Sequence, residues 1–275
     1  MKNLVLLVLV SVFASCNQSV KKEAPAQEPI ETEPNAGIGD GAVSPAVAFA
    51  QNIESAHNKK AWNDHTAVAF DIDLKFGGNE RLNAKITSLT NSSKIRIDKK
   101  DGAKLIFDGS EVYLCPETAS DKGARFDMFT WQYFFAIPFK LTDPGTHWES
   151  IASKNQDNIE YPAGRLTFGE NIGDAPDDWY VIYQDPKTNL LHAAAYIVTF
   201  GSDVEEANQN PHVIVYSDYK TVDGIKVATH WDFHEWNEKE GIGKKLGEAD
   251  LSNIVFFEAK PDLFEKPDRS KLIKK

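Results

Sequence analysis

From residue 66 onward, apolar and polar side chains alternate. In HTAVAFDIDLKF, Val68, Phe70, Ile72, Leu74 and Phe76 share one parity, with Asp71, Asp73 and Lys75 on the other. A period of two is that of a half-buried β-strand. Gly77-Gly78-Asn79 makes a turn, and RLNAKITSLT repeats the pattern through Leu82, Ala84, Ile86 and Ser88. Lys94–Lys99 follows with Ile95 and Ile97 on one side, and AKLIFDGSEVYLC reads as a hairpin around Asp108-Gly109. Strand signals resume after residue 165. They run through Arg165–Gly169, the hairpin DDWYVIYQDPKTNLLHAAAYIVTF turning at Asp185–Asn189, and Val213–Tyr219. A turn at Asp223-Gly224 leads into KVATHWDFHEW, and ADLSNIVFFEA is the last strand. The pattern predicts a mainly antiparallel β (α+β) fold of about ten strands, with one apolar and one wet face, enough to curl into an open half-barrel.

Two segments break the alternation. Ala46–Trp62 places Val47, Ala50, Ile53 and His57 at helical spacing and predicts an N-terminal helix. The second is DMFTWQYFFAIPFKL, Asp127–Leu141. Seven of the chain's 30 aromatics fall between Phe126 and Phe139, so this run dominates the question of what is covered by what. Phe126, Phe129, Tyr133 and Ile137 form one helical stripe, and Met128, Trp131, Phe135 and Phe139 form another. Pro138 biases Ile137 out of the helical region, which predicts a helix end near Ala136. A helix apolar on both flanks must be covered on both. The sheet covers one. A second layer, a ligand or lipid must cover the other. The stretch therefore reads either as a plug of core or as a helical lid over an apolar cavity.

The formal net charge of −11 argues against nucleic acid as a partner and against an electrostatic hold on anionic lipid. The N-terminus supplies another link to a membrane. Lys2 precedes an apolar run, Leu4–Phe13, which is too short to span a bilayer at about 20 residues but fits an export signal. It ends in Phe13-Ala14-Ser15-Cys16, which resembles the bacterial lipobox, with Phe where the pattern prefers Leu. On that resemblance residues 1–15 are a lipoprotein signal peptide. Cys16 is the lipidated residue, carrying a diacylglyceryl group and an amide-linked chain of the palmitate type, enough for stable anchoring. Asn17 rather than Asp after the cysteine fits sorting to the outer membrane. Residues 16–45, rich in Pro, Gly and acids, read as a disordered linker, and residues 46–275 as the folded domain. With Cys16 acylated, Cys115 has no disulfide partner and reads as a small buried apolar residue.

Candidate chemistry is sparse. His230, Asp232 and His234 in THWDFHEW project from one strand face, a spacing that could hold zinc, with His65 or His212 as a further approach. The simpler reading has Trp231 and Phe233 in the core and the His-Asp-His row in solvent. Asp71-Asp73 and Asp177-Asp178 read as solubilising charge. GIGDG lacks the strand and Lys-Ser/Thr of a phosphate loop, and Ser19–Lys22 matches Ser-x-x-Lys only inside the linker. No catalytic residue and no cofactor is assigned.

Three segments carry a family resemblance. YQDPKTNLLHAAAY resembles the Tyr-x-Asp-x-x-Thr-x-Leu hairpin of periplasmic lipoprotein carriers. SDYKTVDGIKVATHWDF resembles the strand–turn–strand that follows it there, with Ala228 in place of a Pro. LSNIVFFEAKPDLFEKP resembles their closing strand and Phe-x-x-Pro tail, here Phe264 and Pro267. Together, over most of residues 46–268, the chain resembles the LolA/LolB-like superfamily, in particular its lipid-anchored members. The resemblance implies a curved antiparallel sheet around an apolar cavity, with helices over the mouth, binding lipid or lipoprotein acyl chains without catalysis. Phe126, Phe129, Trp131, Phe135 and Phe139, facing Phe70, Ile72 and Leu74, are the expected lining. Two other readings stay open. One is a metal-dependent hydrolase using the His230 row. The other is a structural or adhesive surface lipoprotein with no cavity.

Overall fold

The alternating segments pair into one large antiparallel sheet. A computed structural model describes residues 42–275, of which Val43–Lys275 form one compact unit. The signal peptide, Cys16 and nearly all of the linker lie outside the described residues. The strands are β1 (Ala67–Phe76), β2 (Asn79–Leu89), β3 (Ile95–Lys99), β4 (Lys104–Phe107), β5 (Val112–Cys115), β6 (Thr146–Ser150), β7 (Lys154–Gln156), β8 (Ile159–Tyr161), β9 (Ala163–Phe168), β10 (Tyr180–Gln184), β11 (Leu191–Tyr196), β12 (His212–Val222), β13 (Ile225–Asn237), β14 (Gly241–Phe257) and β15 (Lys271–Ile273). Thirteen of them form a single sheet in the order β15-β5-β4-β3-β2-β1-β14-β13-β12-β11-β10-β9-β6, and β7 pairs with β8. The expected count of about ten is therefore too low. The short edge strands β6 and β15 and the β7–β8 hairpin are too brief to show a period. β14 starts eight residues before the expected ADLSNIVFFEA because its first half, GIGKKLGE, is polar.

Turn chemistry sets the register. Asp223 and Gly224 both have positive φ, at 50° and 80°, the two-residue turn that suits a twisted hairpin, and Val222 pairs with Ile225 across it. In the β10–β11 turn Asp185 Oδ1 accepts from the N–H groups of Lys187 and Thr188 and from Thr188 Oγ1. The Asp and Thr of that motif therefore build a turn.

The N-terminal helical segment is two helices, α1 (Pro45–His57) and α2 (Lys59–Asp64). Ser44 caps α1 by accepting from Val47 N–H, with Pro45 at the first helical position. Asn58 breaks the run. It takes a left-handed conformation that ends α1, and its side chain accepts from Ala61 N–H to begin α2. His57, fully buried, ties α1 to two strands. Its Nδ1–H donates to Lys226 O at 2.8 Å and its Nε2 accepts from Leu191 N–H at 3.0 Å. This bonding requires the neutral ring, and burial pulls its pKa down to about 4 although the Lys226 bond opposes the fall. Glu54 is also buried and accepts from Lys59, Thr142 N–H and Thr142 Oγ1, which fixes the chain that follows the aromatic helix.

The aromatic stretch is α3 (Ala124–Ala136), continued by a 3₁₀ turn, Ile137–Phe139. The helix ends where expected, for a different reason. Ile137 keeps a right-handed helical conformation, and the chain tightens around Pro138 rather than extending. Contacts of α3 show how far the sheet bends. Phe129 packs on Phe107 of β4 at 5.1 Å, and Tyr133 packs near Phe168 of β9 at 6.3 Å. Nine steps of the sheet order separate those strands. A flat sheet would hold them about 43 Å apart at about 4.8 Å per step, yet a helix with its side chains is only about 10–12 Å across. The sheet therefore curls around α3 while its edges, β15 and β6, stay unjoined.

A second, smaller cluster lies apart from this core. Tyr161, Trp179, Val181, Tyr183, Val213 and Trp236 are buried together. Its indole N–H groups are satisfied. Trp236 Nε1–H donates to Tyr183 Oη at 2.8 Å, and Trp179 Nε1–H donates to Asn208 at 2.8 Å, from the short helix α4 (Val204–Asn208). Cys115 ends β5 half-buried, with its Sγ 3.6 Å from Asp268 O, and is not the core residue expected.

Candidate ligand-binding cleft

The two stripes of α3 have different fates. Met128, Trp131 and Phe135, with Phe139 of the 3₁₀ turn, are buried. Phe135 stacks on Phe70 of β1 at 4.2 Å, Phe139 stacks on Trp62 of α2 at 4.1 Å, and Trp131 meets Phe233 of β13 edge-on at 6.1 Å. Phe126, Phe129 and Tyr133 lie on the other side, along a cleft of about 700 Å³. That volume falls in the range of about 300–1,000 Å³ typical of small-molecule sites. Ile137, assigned to the same stripe by spacing, is fully buried, because the 3₁₀ turn rotates it away. Phe107, Phe134, Phe168, Tyr180, Tyr196, Val198 and Phe200 also line it.

Charges fasten the start of α3. Asp127, in its first turn and 1% exposed, accepts from Arg81 at 2.7 Å, Lys99 at 2.9 Å and Trp131 Nε1–H at 2.9 Å. A carboxylate there also suits the positive end of the helix dipole. Arg125 lies over Phe129 and grips Asp174 with two nitrogens, at 2.6 and 3.0 Å. Lys140 pairs with Asp143 at 2.6 Å. Arg125 and Lys140 both line the cleft, and each already has an acidic partner.

Asp178 also lines the cleft. It accepts from Thr199 N–H at 2.8 Å and Thr199 Oγ1 at 2.7 Å. Burial raises its pKa, the two Thr199 bonds oppose that, and Asp177 adds to it. Read from sequence as solubilising charge, Asp178 is instead a half-buried wall residue.

Of the expected lining, Phe126 and Phe129 line the cleft. Trp131, Phe135, Phe139, Phe70, Ile72 and Leu74 sit in the packed core and do not border it. Phe107, Phe168, Tyr180 and Tyr196 escaped the sequence reading because they reach the cleft only through the curl of the sheet. The β10–β11 pairing carries a partial signal, since Tyr180 and Tyr196 are register partners and must face the same way.

The His230 row faces outward, with Trp231 and Phe233 in the core. His230 and Asp232 come together with Glu248, their donor atoms within 4.8 Å, but His234 is elsewhere, its Nδ1 2.9 Å from Gly243 O. His65 stacks on Phe256 and His212 lies near Tyr196. Lys245, which the sequence did not suggest, reaches Asp232 at 2.6 Å and Glu248 at 2.7 Å. Both nitrogens of His230 face carboxylates, Asp250 at 2.7 Å and Asp232 at 3.2 Å. Partial burial would lower its pKa, but those two hydrogen bonds raise it overall. Both ring nitrogens are therefore engaged by carboxylates, and the Lys245 ammonium pairs with Asp232 and Glu248 at once. The group reads as a surface ion network.

Comparison with known proteins bears on the fold. Residues 116–243 match the model of a family of unknown function (DUF6503). No curated protein matches the chain in sequence. A LolA superfamily protein from Nitrosomonas europaea superposes with a TM-score of 0.53 at 10% identity, covering 82% of this chain and 99% of that one. The fold is that of the LolA superfamily. A DUF1329 family protein from Desulfovibrio piger is less similar, with a TM-score of 0.44 at 15% identity over 81% of this chain and 98% of that one. Among the described residues no helix is long and apolar enough to cross a membrane.

Proposed function

We propose that this chain is an exported, lipid-anchored protein that holds a hydrophobic ligand, a lipid or acyl chain, in the cleft beside α3. It is a binding protein rather than an enzyme. The observation that carries this reading is the division of α3. Aromatic rings fill one flank with core, and on the other they face about 700 Å³ of space. Burial of a hydrocarbon tail there is worth roughly 25 cal/mol per Å² of apolar area and needs no particular catalytic group. The lipobox-like Cys16, in the outer membrane as Asn17 suggests, would keep the cleft near a supply of lipid. The LolA-superfamily fold is consistent with the role.

The test is native mass spectrometry of a soluble form beginning at Asn17, which retains the whole compact unit, followed by titration with a fluorescent fatty acid. Co-purified lipid, or saturable uptake lost in Phe129→Ala, is the expected result. A clean ligand-free mass with no uptake would return the chain to the structural-lipoprotein reading.

A further inference from the structure

Tyr133 carries a hydroxyl that the fold leaves without a partner. Its Oη is buried and makes no hydrogen bond, although the residue lines the cleft. Two other tyrosines packed in the core are served. Tyr216 donates to Phe134 O at 3.1 Å, and Tyr219 donates to Leu191 O. Buried polar groups in native proteins are nearly always paired, so an orphan on a residue that lines a cavity points to a missing acceptor. The surroundings define that acceptor. Burial, with Asp143 and Asp178 nearby, keeps the proton on the phenol, so Tyr133 is a donor. Tyr180 stands 5.6 Å away, ring to ring. Asp143 is balanced by Lys140 and Lys59, Arg125 is occupied by Asp174, and Lys275, which also lines the cleft, is exposed to water. Asp178 is satisfied by Thr199 alone, with no cation in its bonding. An anionic head placed there would meet a carboxylate, whereas an uncharged carbonyl would meet a waiting O–H.

We infer that Tyr133 is the polar anchor of the cleft, donating its hydroxyl to the carbonyl oxygen of an uncharged ester or amide, so that the cleft takes acyl esters or amides in preference to free fatty-acid anions. This rests on the ligand-binding reading above and names its substrate class. Glycerolipids and the acylated cysteine of a lipoprotein both offer that carbonyl.

The experiment uses the soluble form beginning at Asn17 and three probes: N-phenyl-1-naphthylamine for apolar occupancy, 1-monopalmitoylglycerol as ester, and palmitate at pH 8 as anion. The ester should displace the naphthylamine at concentrations about tenfold lower than palmitate, the worth of one hydrogen bond. Tyr133→Phe should weaken the ester about tenfold, the loss of that one hydrogen bond, and so abolish the preference. It should also raise the Tm of the ligand-free protein, since it removes an unpaired buried hydroxyl; a purely structural hydroxyl would lower it. Retained preference in Tyr133→Phe, equal binding of palmitate, or a lowered Tm overturns the assignment. Failure of every probe, naphthylamine included, overturns the ligand-binding reading itself. A triacylated cysteinyl peptide run beside the monoacylglycerol tells the lipoprotein source from the glycerolipid one.

Discussion

Trp131 and Phe129 are two residues apart on one helix, yet they belong to different parts of the molecule. Trp131 is 3% exposed, wedged among Phe126, Phe134 and Phe233, with its N–H on Asp127. Phe129 touches Phe107 and Arg125, is half-buried, and lines the cleft. The smaller cluster around Trp179 and Trp236 makes the same point from elsewhere in the fold. There the rings are just as aromatic, but each indole N–H and the Tyr183 hydroxyl have partners. Aromatic content alone does not mark a binding surface. Unfilled space beside an unpaired polar tip does.

The largest effect that would separate the two flanks is on stability. Trp131→Ala should cost about 3–5 kcal/mol, as large-to-small core changes do, and lower the urea midpoint accordingly. Phe129→Ala should cost about 1 kcal/mol or less. Equal losses would erase the distinction.

Acid should loosen the core flank first, because Phe139 packs edge-on against His57 at 5.6 Å. The unfolded ring titrates near 6.5 and the folded one near 4, so between those values the unfolded chain holds the extra proton. Stability is complete above pH 6.5 and falls as pH drops toward 4, by about 3 kcal/mol in all. Urea denaturation across that range should show the slope in the wild type and lose most of it in His57→Gln.

Asp127→Asn comes next. It leaves Arg81 and Lys99 without their carboxylate, and because Arg81 is partly exposed the expected loss is about 2 kcal/mol rather than the full cost of a broken buried pair. Ligand uptake should weaken with it, since α3 is then held less firmly.

The smallest effect belongs to the outer face. His230→Ala should change stability by no more than about 0.5 kcal/mol, as exposed ion pairs do, and chelators should leave the Tm unmoved. A Tm drop of several degrees on chelation would restore the metal reading.

Much of the sheet was legible because a two-residue period is strict. Val68 to Leu74 and Ile95 to Ile97 could face only one way. The division of α3 into two stripes was legible too, but which stripe meets space was not. That depends on curl accumulated over nine strand-to-strand steps, which brings Phe107 and Phe168 to the same helix, and no local pattern encodes it. Long-range polar fits were equally hidden. Nothing near Asp127 in sequence announces Arg81 or Lys99, and the break at Asn58 depends on one side chain's tolerance for positive φ.

The double fastening of α3, through Arg125 and Asp127 in its first turn, bears on how a bound ligand would come and go. A helix riveted by ion pairs and stacked rings is a wall, and a wall does not swing. On the ligand-binding proposal, a ligand would enter past Ile172 and Phe200, the exposed large apolar side chains of the cleft lining.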